Sequence, residues 1–311
     1  MQSYFSHGKL LLTGEYVVLD GALSLAVPTK FGQRMDVEFR ENSGGENTLT
    51  WYSIDNEGET WYREEFLIVE SGTEQSRTVR LNDTVLCNIN SVSDSLVTII
   101  NKACEGNPWF LDGGSYTVRT YLDFPNDWGF GSSSTLICNI AKWAEVDAFE
   151  LSEASFGGSG YDIAVGMLGG DILYRSPEMW EGFVYRPPFM DRLFLVHLNQ
   201  KQNSREGIRT YREKETDEYL IQQISDITEC LIQDDTFEVF QQSITEHEKL
   251  ISAHLNLPTV KDRLFDDYPF AIKSLGAWGG DFILACGDDT TPEYFKSKGY
   301  HTVLKYQDLI K

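Results

Sequence analysis

The fold is decided by the stretch Pro125-Asn126-Asp127-Trp128-Gly129-Phe130-Gly131-Ser132-Ser133-Ser134. Two glycines flank one aromatic residue, three serines follow, and Leu136, Ile140, Trp143 and Ala144 then recur at helical spacing. This is the pattern of a tight turn running into the start of an amphipathic helix. Glycines let a backbone approach a ligand closely, and the amides at a helix start, helped by its dipole, seat phosphate oxygens. The serine hydroxyls add hydrogen bonds or a magnesium ligand. No Gly-Lys-Ser/Thr follows, so it is not a Walker loop, and the third glycine of a dinucleotide fingerprint is missing. Ser133 also lacks the second flanking glycine of a nucleophile elbow. An ordinary glycine turn with a serine cap would use the same residues.

Three other segments gather glycine beside charge. Gly157-Gly158-Ser159-Gly160-Tyr161-Asp162-Ile163-Ala164 suggests a tight fold around a ligand with Asp162 at its rim, or a loop with a capping aspartate. Lys273-Ser274-Leu275-Gly276-Ala277-Trp278-Gly279-Gly280-Asp281 lies between two apolar runs and is longer than a hairpin turn needs. Gly8-Lys9-Leu10-Leu11-Leu12-Thr13-Gly14-Glu15-Tyr16 sets one lysine after a glycine in the first strand and loop.

Around these segments the first half reads as strands, with β-branched and aromatic alternation over Phe31 to Phe39, Thr48 to Ser53, Thr60 to Val69 and Ser115 to Asp123. The turn cluster Asn42 to Gly45 separates two of them, and Ile89, Val92, Leu96, Ile99 and Ile100 form a helical stripe. After a strand at Leu193 to Leu198, a long acidic helical stretch is expected from about Glu206 to about Leu255. Strands at Phe270 to Leu275 and Phe282 to Cys286, a helix near Glu293 and a strand at His301 to Lys305 follow. That order suits a split βαβ layer. A boundary is expected between Arg175 and Asp191, where Pro177, Pro187 and Pro188 cluster.

The chain has 311 residues, with 26 Lys plus Arg against 48 Asp plus Glu, a formal charge of −22. It is 41% hydrophobic and 13% aromatic, enough for a buried core. The acidity opposes nucleic-acid phosphates and anionic lipid, no basic patch offsets it, and no apolar run spans a bilayer, so a cytoplasmic location is expected. Cys87, Cys104, Cys138, Cys230 and Cys286 are odd in number and scattered among apolar neighbours, which argues for buried thiols. His247 and His254 share a helical stretch without an HExxH pattern, so no zinc site is expected.

Together the segments resemble the GHMP small-molecule kinases, the superfamily of galactokinase, homoserine kinase, mevalonate kinase and phosphomevalonate kinase, over nearly the whole chain. Gly8 to Tyr16 resembles the family's opening motif. Pro125 to Ser134 is similar to its Pro-x3-Gly-Leu-Gly-Ser-Ser loop with Phe130 in place of leucine, and Gly276 to Asp281 resembles its last glycine motif with Trp278 where glycine is usual. Gly14-Glu15-Tyr16-Val17-Val18-Leu19, Gly158 to Ala164 and Gly279-Gly280-Asp281 are closer to phosphomevalonate kinases than to the Gly-Glu-His relatives, and Lys201-Gln202-Asn203-Ser204 resembles a stretch that faces the acceptor there.

The resemblance implies an α+β GHMP kinase fold with two domains, residues 1–180 ribosomal-protein-S5-domain-2-like and residues 190–311 ferredoxin-like. It implies ATP and Mg²⁺ as cofactors, a small anionic acceptor of the mevalonate pathway, and no nucleic-acid or membrane partner. Gly129, Phe130, Gly131, Ser132, Ser133 and Ser134 would bind ATP, Ser133 also ligating the metal. Asp162 would take or orient the acceptor proton and Lys9 would neutralise developing charge. Ser159, Gly160, Lys201, Ser204, Gly276, Ala277 and Gly279 would face the acceptor, with Arg205 and Lys273 as further cations or as solvated surface charge. An acidic metal ligand is usual a short way before the aspartate. Counting back reaches Leu151, flanked by Glu150 and Glu153, and Glu150 is the expected ligand. Mevalonate kinase, another GHMP kinase, a related decarboxylase or a nucleotide-binding regulator without catalysis are the alternatives.

Both substrates would be anions, so the bulk field opposes them. The acidity is therefore expected on the surface of the helices between Glu206 and Glu248, with Lys9, Lys201, Arg205 and Lys273 converging as local positive charge.

Overall fold

The computed structural model describes residues 1–41, 44–70, 77–81, 91–200, 204–276, 278 and 280–311, with Ser91, Ser204 and Arg205 described by backbone only. Asn42, Ser43, Cys87 and Ile89 lie outside the described residues. The chain folds as two compact units, each drawn from several segments. The first comprises Met1–Gly8, Phe31–Asn126 and Gly131–Met167; the second comprises Lys9–Lys30, Asp127–Phe130 and Leu168–Lys311.

Period-2 alternation produces the strands of the first half, because alternate side chains then share one buried face. They are β1 (Gln2–Leu11), β2 (Ser24–Glu41), β3 (Asn47–Ile54), β4 (Thr60–Glu70), β5 (Arg77–Leu81) and β6 (Gly114–Leu122). Within the first unit they form a sheet ordered β5-β4-β3-β6-β2, in which β3 and β6 run parallel and the other neighbours antiparallel. The unit's helices among the described residues are α1 (Ser91–Gly106), α2 (Ser132–Ala144), α3 (Ala148–Glu153) and α4 (Tyr161–Leu168). Their apolar stripes join the inward face of the sheet in one core around Trp51, Val118, Ile99, Ile137 and Ile140.

The second unit holds the hairpin β7 (Asp171–Ser176) and β8 (Met179–Phe183), with β7 antiparallel to Ser24 through Ala26 of β2. In the span from Arg175 to Asp191, β7 ends and β8 follows, and Pro177 sits in the turn between them, where its fixed φ is an advantage. Next come β9 (Leu193–His197), α5 (Ser204–Arg212), α6 (Glu218–Gln233), α7 (Phe237–Leu255), α8 (Val260–Leu264), β10 (Ile272–Leu275), β11 (Phe282–Cys286), α9 (Thr291–Ser297), β12 (Val303–Lys305) and α10 (Tyr306–Leu309). The expected single helical stretch is thus three helices. The Asp217 side chain caps α6 by accepting from Leu220 N–H at 2.7 Å, and Asp234 accepts from Thr236 N–H just before α7.

The sheet of this unit is ordered β10-β11-β9-β12, every neighbour antiparallel. Its first and second strands in chain order are therefore parallel and separated by the third, the split βαβ arrangement of a ferredoxin-like layer. Among the described residues, no helix is long and apolar enough to cross a membrane. Cys104, Cys138 and Cys286 are buried thiols as expected, while Cys230 is half-buried.

Candidate active site

Helix α2 begins as its sequence demands. Gly129 and Gly131 take left-handed conformations, φ 67° and 88°, which let the chain turn sharply into the helix. Gly131 occupies the N-cap without a side chain, and no side-chain cap satisfies the first turn. Ser134 Oγ turns back to donate to Gly131 O at 2.9 Å and is buried, Ser132 Oγ donates to Asn126 at 3.4 Å, and Ser133 is exposed. The arrangement offers amide donors and one free-standing hydroxyl oxygen to an anion with its cation.

Asp162 stands in the first turn of α4, half-buried, where its Oδ1 accepts from Ile163 N–H at 3.1 Å. Helices α2 and α4 are tied closely. Cys138 Sγ donates to Ile163 O at 3.7 Å, a Cβ on Gly166 would lie 2.7 Å from that sulfur, and Lys142 Nζ donates to Gly166 O at 3.2 Å and Ser6 Oγ at 2.9 Å. Within the first unit, Ser133 and Asp162 therefore ride on two locked helices. Gly160 lies just before α4 with φ 87°, and Ser159 beside it is half-buried. Glu150 and Glu153 are both exposed on the short α3. No group of three or more His, Cys, Asp or Glu among the described residues is placed to hold a metal ion. The oxygen donor that suits a hard cation beside phosphate is Ser133 Oγ.

The second unit brings residues of the three motif regions together around Gly129 and Phe130. Lys9 N–H donates to Phe130 O at 2.9 Å and its Nζ donates to Gly129 O at 3.1 Å. Phe130 does not offer its ring to a ligand; it is buried and stacked on Phe282 at 5.1 Å, with Trp128 edge-on to both. That stacking accounts for the aromatic residue at position 130. A Cβ on Gly129 would lie 2.3 Å from Asp281 Oδ2, so glycine at 129 is what admits the Asp281 carboxylate. Gly276 lies in the same turn region with φ 70°; Ala277, Gly279 and Lys201 lie outside the described residues, as do the side chains of Ser204 and Arg205.

Lys273 is the clear correction. It was expected to meet an acceptor or solvent, but it is fully buried and pairs with Glu15 at 2.5 Å. Its Nζ also donates to Ser274 O at 2.9 Å, and Ser274 Oγ donates to Glu248 at 3.1 Å. His247 Nε2 accepts from Gly14 N–H at 2.9 Å, which leaves the ring neutral with its proton on Nδ1. Burial, reinforced by Lys273, holds that imidazole well below its ordinary pKa. Burial raises the Glu15 carboxyl against the pull of Lys273, and pushes Glu248 up to about 8. One ammonium thus faces two carboxyls. Glu15, in contact with it, is the ionised partner, and Glu248 keeps a proton near neutrality.

Glu248 also corrects the expectation that the helical acidity is all on the surface, since it is buried. Its signal was present in the spacing: His247 and Glu248 share the buried face of α7 with Phe240, Ile244 and Ile251.

No protein-family model and no curated protein matches the sequence. Solved structures do match in fold. Phosphomevalonate kinase of Streptococcus pneumoniae, in complex with phosphomevalonate and AMPPNP, is 14% identical, covers 98% of this chain and 100% of its own, and has a TM-score of 0.67. Mevalonate kinase of Methanococcus jannaschii is 16% identical over 97% of this chain and 96% of its own, with a TM-score of 0.65. Galactokinase of Lactococcus lactis, complexed with galactose, is 13% identical over 100% of this chain and 93% of its own, with a TM-score of 0.66. Across nearly its entire length, the chain has the fold of the GHMP small-molecule kinases.

Proposed function

We propose that this chain is a GHMP-family kinase that transfers a phosphoryl group from ATP to a small anionic acceptor of the mevalonate pathway, phosphomevalonate in the first place. The observation that carries the reading is the start of α2, where left-handed Gly129 and Gly131 lead into a helix with no side-chain cap and an exposed Ser133. Phosphoryl transfer needs positioning and charge neutralisation more than covalent participation, and these groups supply both. The amides of the Gly129 to Ser134 segment bind the phosphates. Ser133, with Glu150 as the expected carboxylate, would hold Mg²⁺, which supplies neutralisation of phosphate charge when bound. Lys9 adds a fixed positive charge, and Asp162 accepts or orients the acceptor hydrogen.

A second acceptor, mevalonate, is favoured by one observation. The burial of Lys273 removes one of the cations that a phosphorylated acceptor would use, leaving Lys9, Lys201 and Arg205. An ADP-release assay across phosphomevalonate, mevalonate, homoserine and galactose tests the reading. Turnover is expected with one of the first two, and folded protein that turns over none of the four would sink it. Asp162→Asn is expected to lower kcat by about 10²–10⁴-fold on mevalonate while leaving AMPPNP affinity unchanged. The loss should be smaller on phosphomevalonate, whose acceptor oxygens carry little proton at neutral pH.

A further inference from the structure

Tyr16 is a point at which three parts of the second unit meet. Its backbone has φ 64° and ψ −50°, which a residue with a side chain adopts only when its surroundings impose it. The ring is buried and stacked on Tyr211 of α5, with centroids 5.6 Å apart and planes 19° from parallel. Tyr211 is held in turn, because its hydroxyl donates to Asp20 and accepts from Thr216 Oγ1 at 2.7 Å. The Tyr16 hydroxyl accepts a 2.7 Å hydrogen bond from the backbone N–H of Trp278. That oxygen also fills the space beside Gly207 in α5, where a Cβ would lie 2.6 Å from it. Trp278 is anchored at its other end, its indole Nε1 donating to Pro258 O at 3.3 Å.

The ring alone would serve packing. The hydroxyl does something separate, since it is the acceptor for one backbone amide of the last glycine motif and the spacer against the first half of α5. These are the two segments that the kinase reading assigns to the acceptor.

We infer that Tyr16 is a positioning residue whose hydroxyl fixes the Trp278 backbone against α5 and thereby sets acceptor affinity without contributing to nucleotide binding. The consequence for turnover rests on the kinase reading; the anchoring does not. Tyr16→Phe keeps the ring, its stacking and the backbone conformation and removes only the acceptor oxygen. Amide exchange at Trp278, followed by NMR, is expected to quicken about fivefold to tenfold, the scale of one hydrogen bond, with little change in Tm. The KM for the acceptor that is turned over, phosphomevalonate or mevalonate, is expected to rise by the same factor while AMPPNP affinity holds.

Gly207→Ala presses on the same oxygen. It should raise acceptor KM in the wild-type background, although alanine is the better helix former, and should do much less once Tyr16→Phe has removed that oxygen. Unchanged Trp278 exchange in Tyr16→Phe overturns the inference whatever the activity, as does an unchanged acceptor KM in an active enzyme. Wild-type protein that turns over no acceptor overturns the kinase reading alone, because the exchange measurement needs no turnover.

Discussion

At the start of α2 the chain leaves its polar groups open, with Ser133 exposed and no side chain capping the helix, whereas around Lys273 it seals the same kinds of groups away from water. Both regions combine glycine, serine and a nearby lysine. In the first, no side chain caps the opening amides of α2 and the Ser133 side chain is exposed. In the second, Lys273 pairs with Glu15 and donates to Ser274 O, Ser274 Oγ donates to Glu248 and His247 accepts from Gly14 N–H, while His247 Nδ1 and Glu248 Oε1 are buried without a hydrogen-bond partner. The contrast teaches that a polar group beside a glycine motif can either stay open at the surface or be buried where it holds the motif in place. Lys9 shares features of both, being half-buried with its Nζ on Gly129 O.

The strongest way to break this contrast is Lys273→Met. Removing the cation strands two buried carboxyls, so a loss of about 3–5 kcal/mol is expected in urea unfolding. Stability within error of wild type would mean that the cluster is not what holds this region. Gly129→Ala comes next, since it combines a left-handed φ with a Cβ 2.3 Å from Asp281 Oδ2. It should cost about 2 kcal/mol and weaken AMPPNP binding, tying the open region to the loop beneath it.

Glu248 offers a pH test of the sealed region. Its carboxyl lies above the ordinary range when folded, at about 8, so the folded state retains a proton that the unfolded chain releases. Its contribution to stability is therefore complete at low pH and is lost as pH rises towards and through about 8. Between pH 5 and 9, wild type should lose about 4 kcal/mol more than Glu248→Gln, which keeps the hydrogen-bonding shape without the charge. Parallel pH curves for the two proteins would remove Glu248 from the account. Ser133→Ala should have the smallest effect on folding, within about 0.5 kcal/mol, because the side chain is exposed. Its effect should appear instead as severalfold weaker AMPPNP binding measured with Mg²⁺, and equal binding would argue that Ser133 is not a ligand.

Much of the architecture was legible in local pattern. The β3, β4 and β6 strands and α2 fall close to where alternation and helical spacing put them, and the order of elements after Leu193 implied the split layer that β10-β11-β9-β12 forms. The hairpin of β7 and β8 escaped because Pro177 carries the same signal in a two-residue turn as in a linker. The helical stretch after Glu206 was seen as one element because its apolar periodicity outweighs the weaker cap signals at Asp217 and Thr236.

The amino-acid sequence by itself determined the turn and helix from Gly129 to Ala144, the strand faces and the four glycine-bearing segments, because turn geometry and side-chain period depend on neighbours in the chain. Only the tertiary structure decided that Asp281 meets Gly129, that Tyr16 receives Trp278 N–H, and that Lys273 pairs with Glu15 rather than facing solvent. A lysine's role follows from how far it is desolvated and which carboxylate reaches it. Both are set by segments distant in sequence that no local pattern specifies.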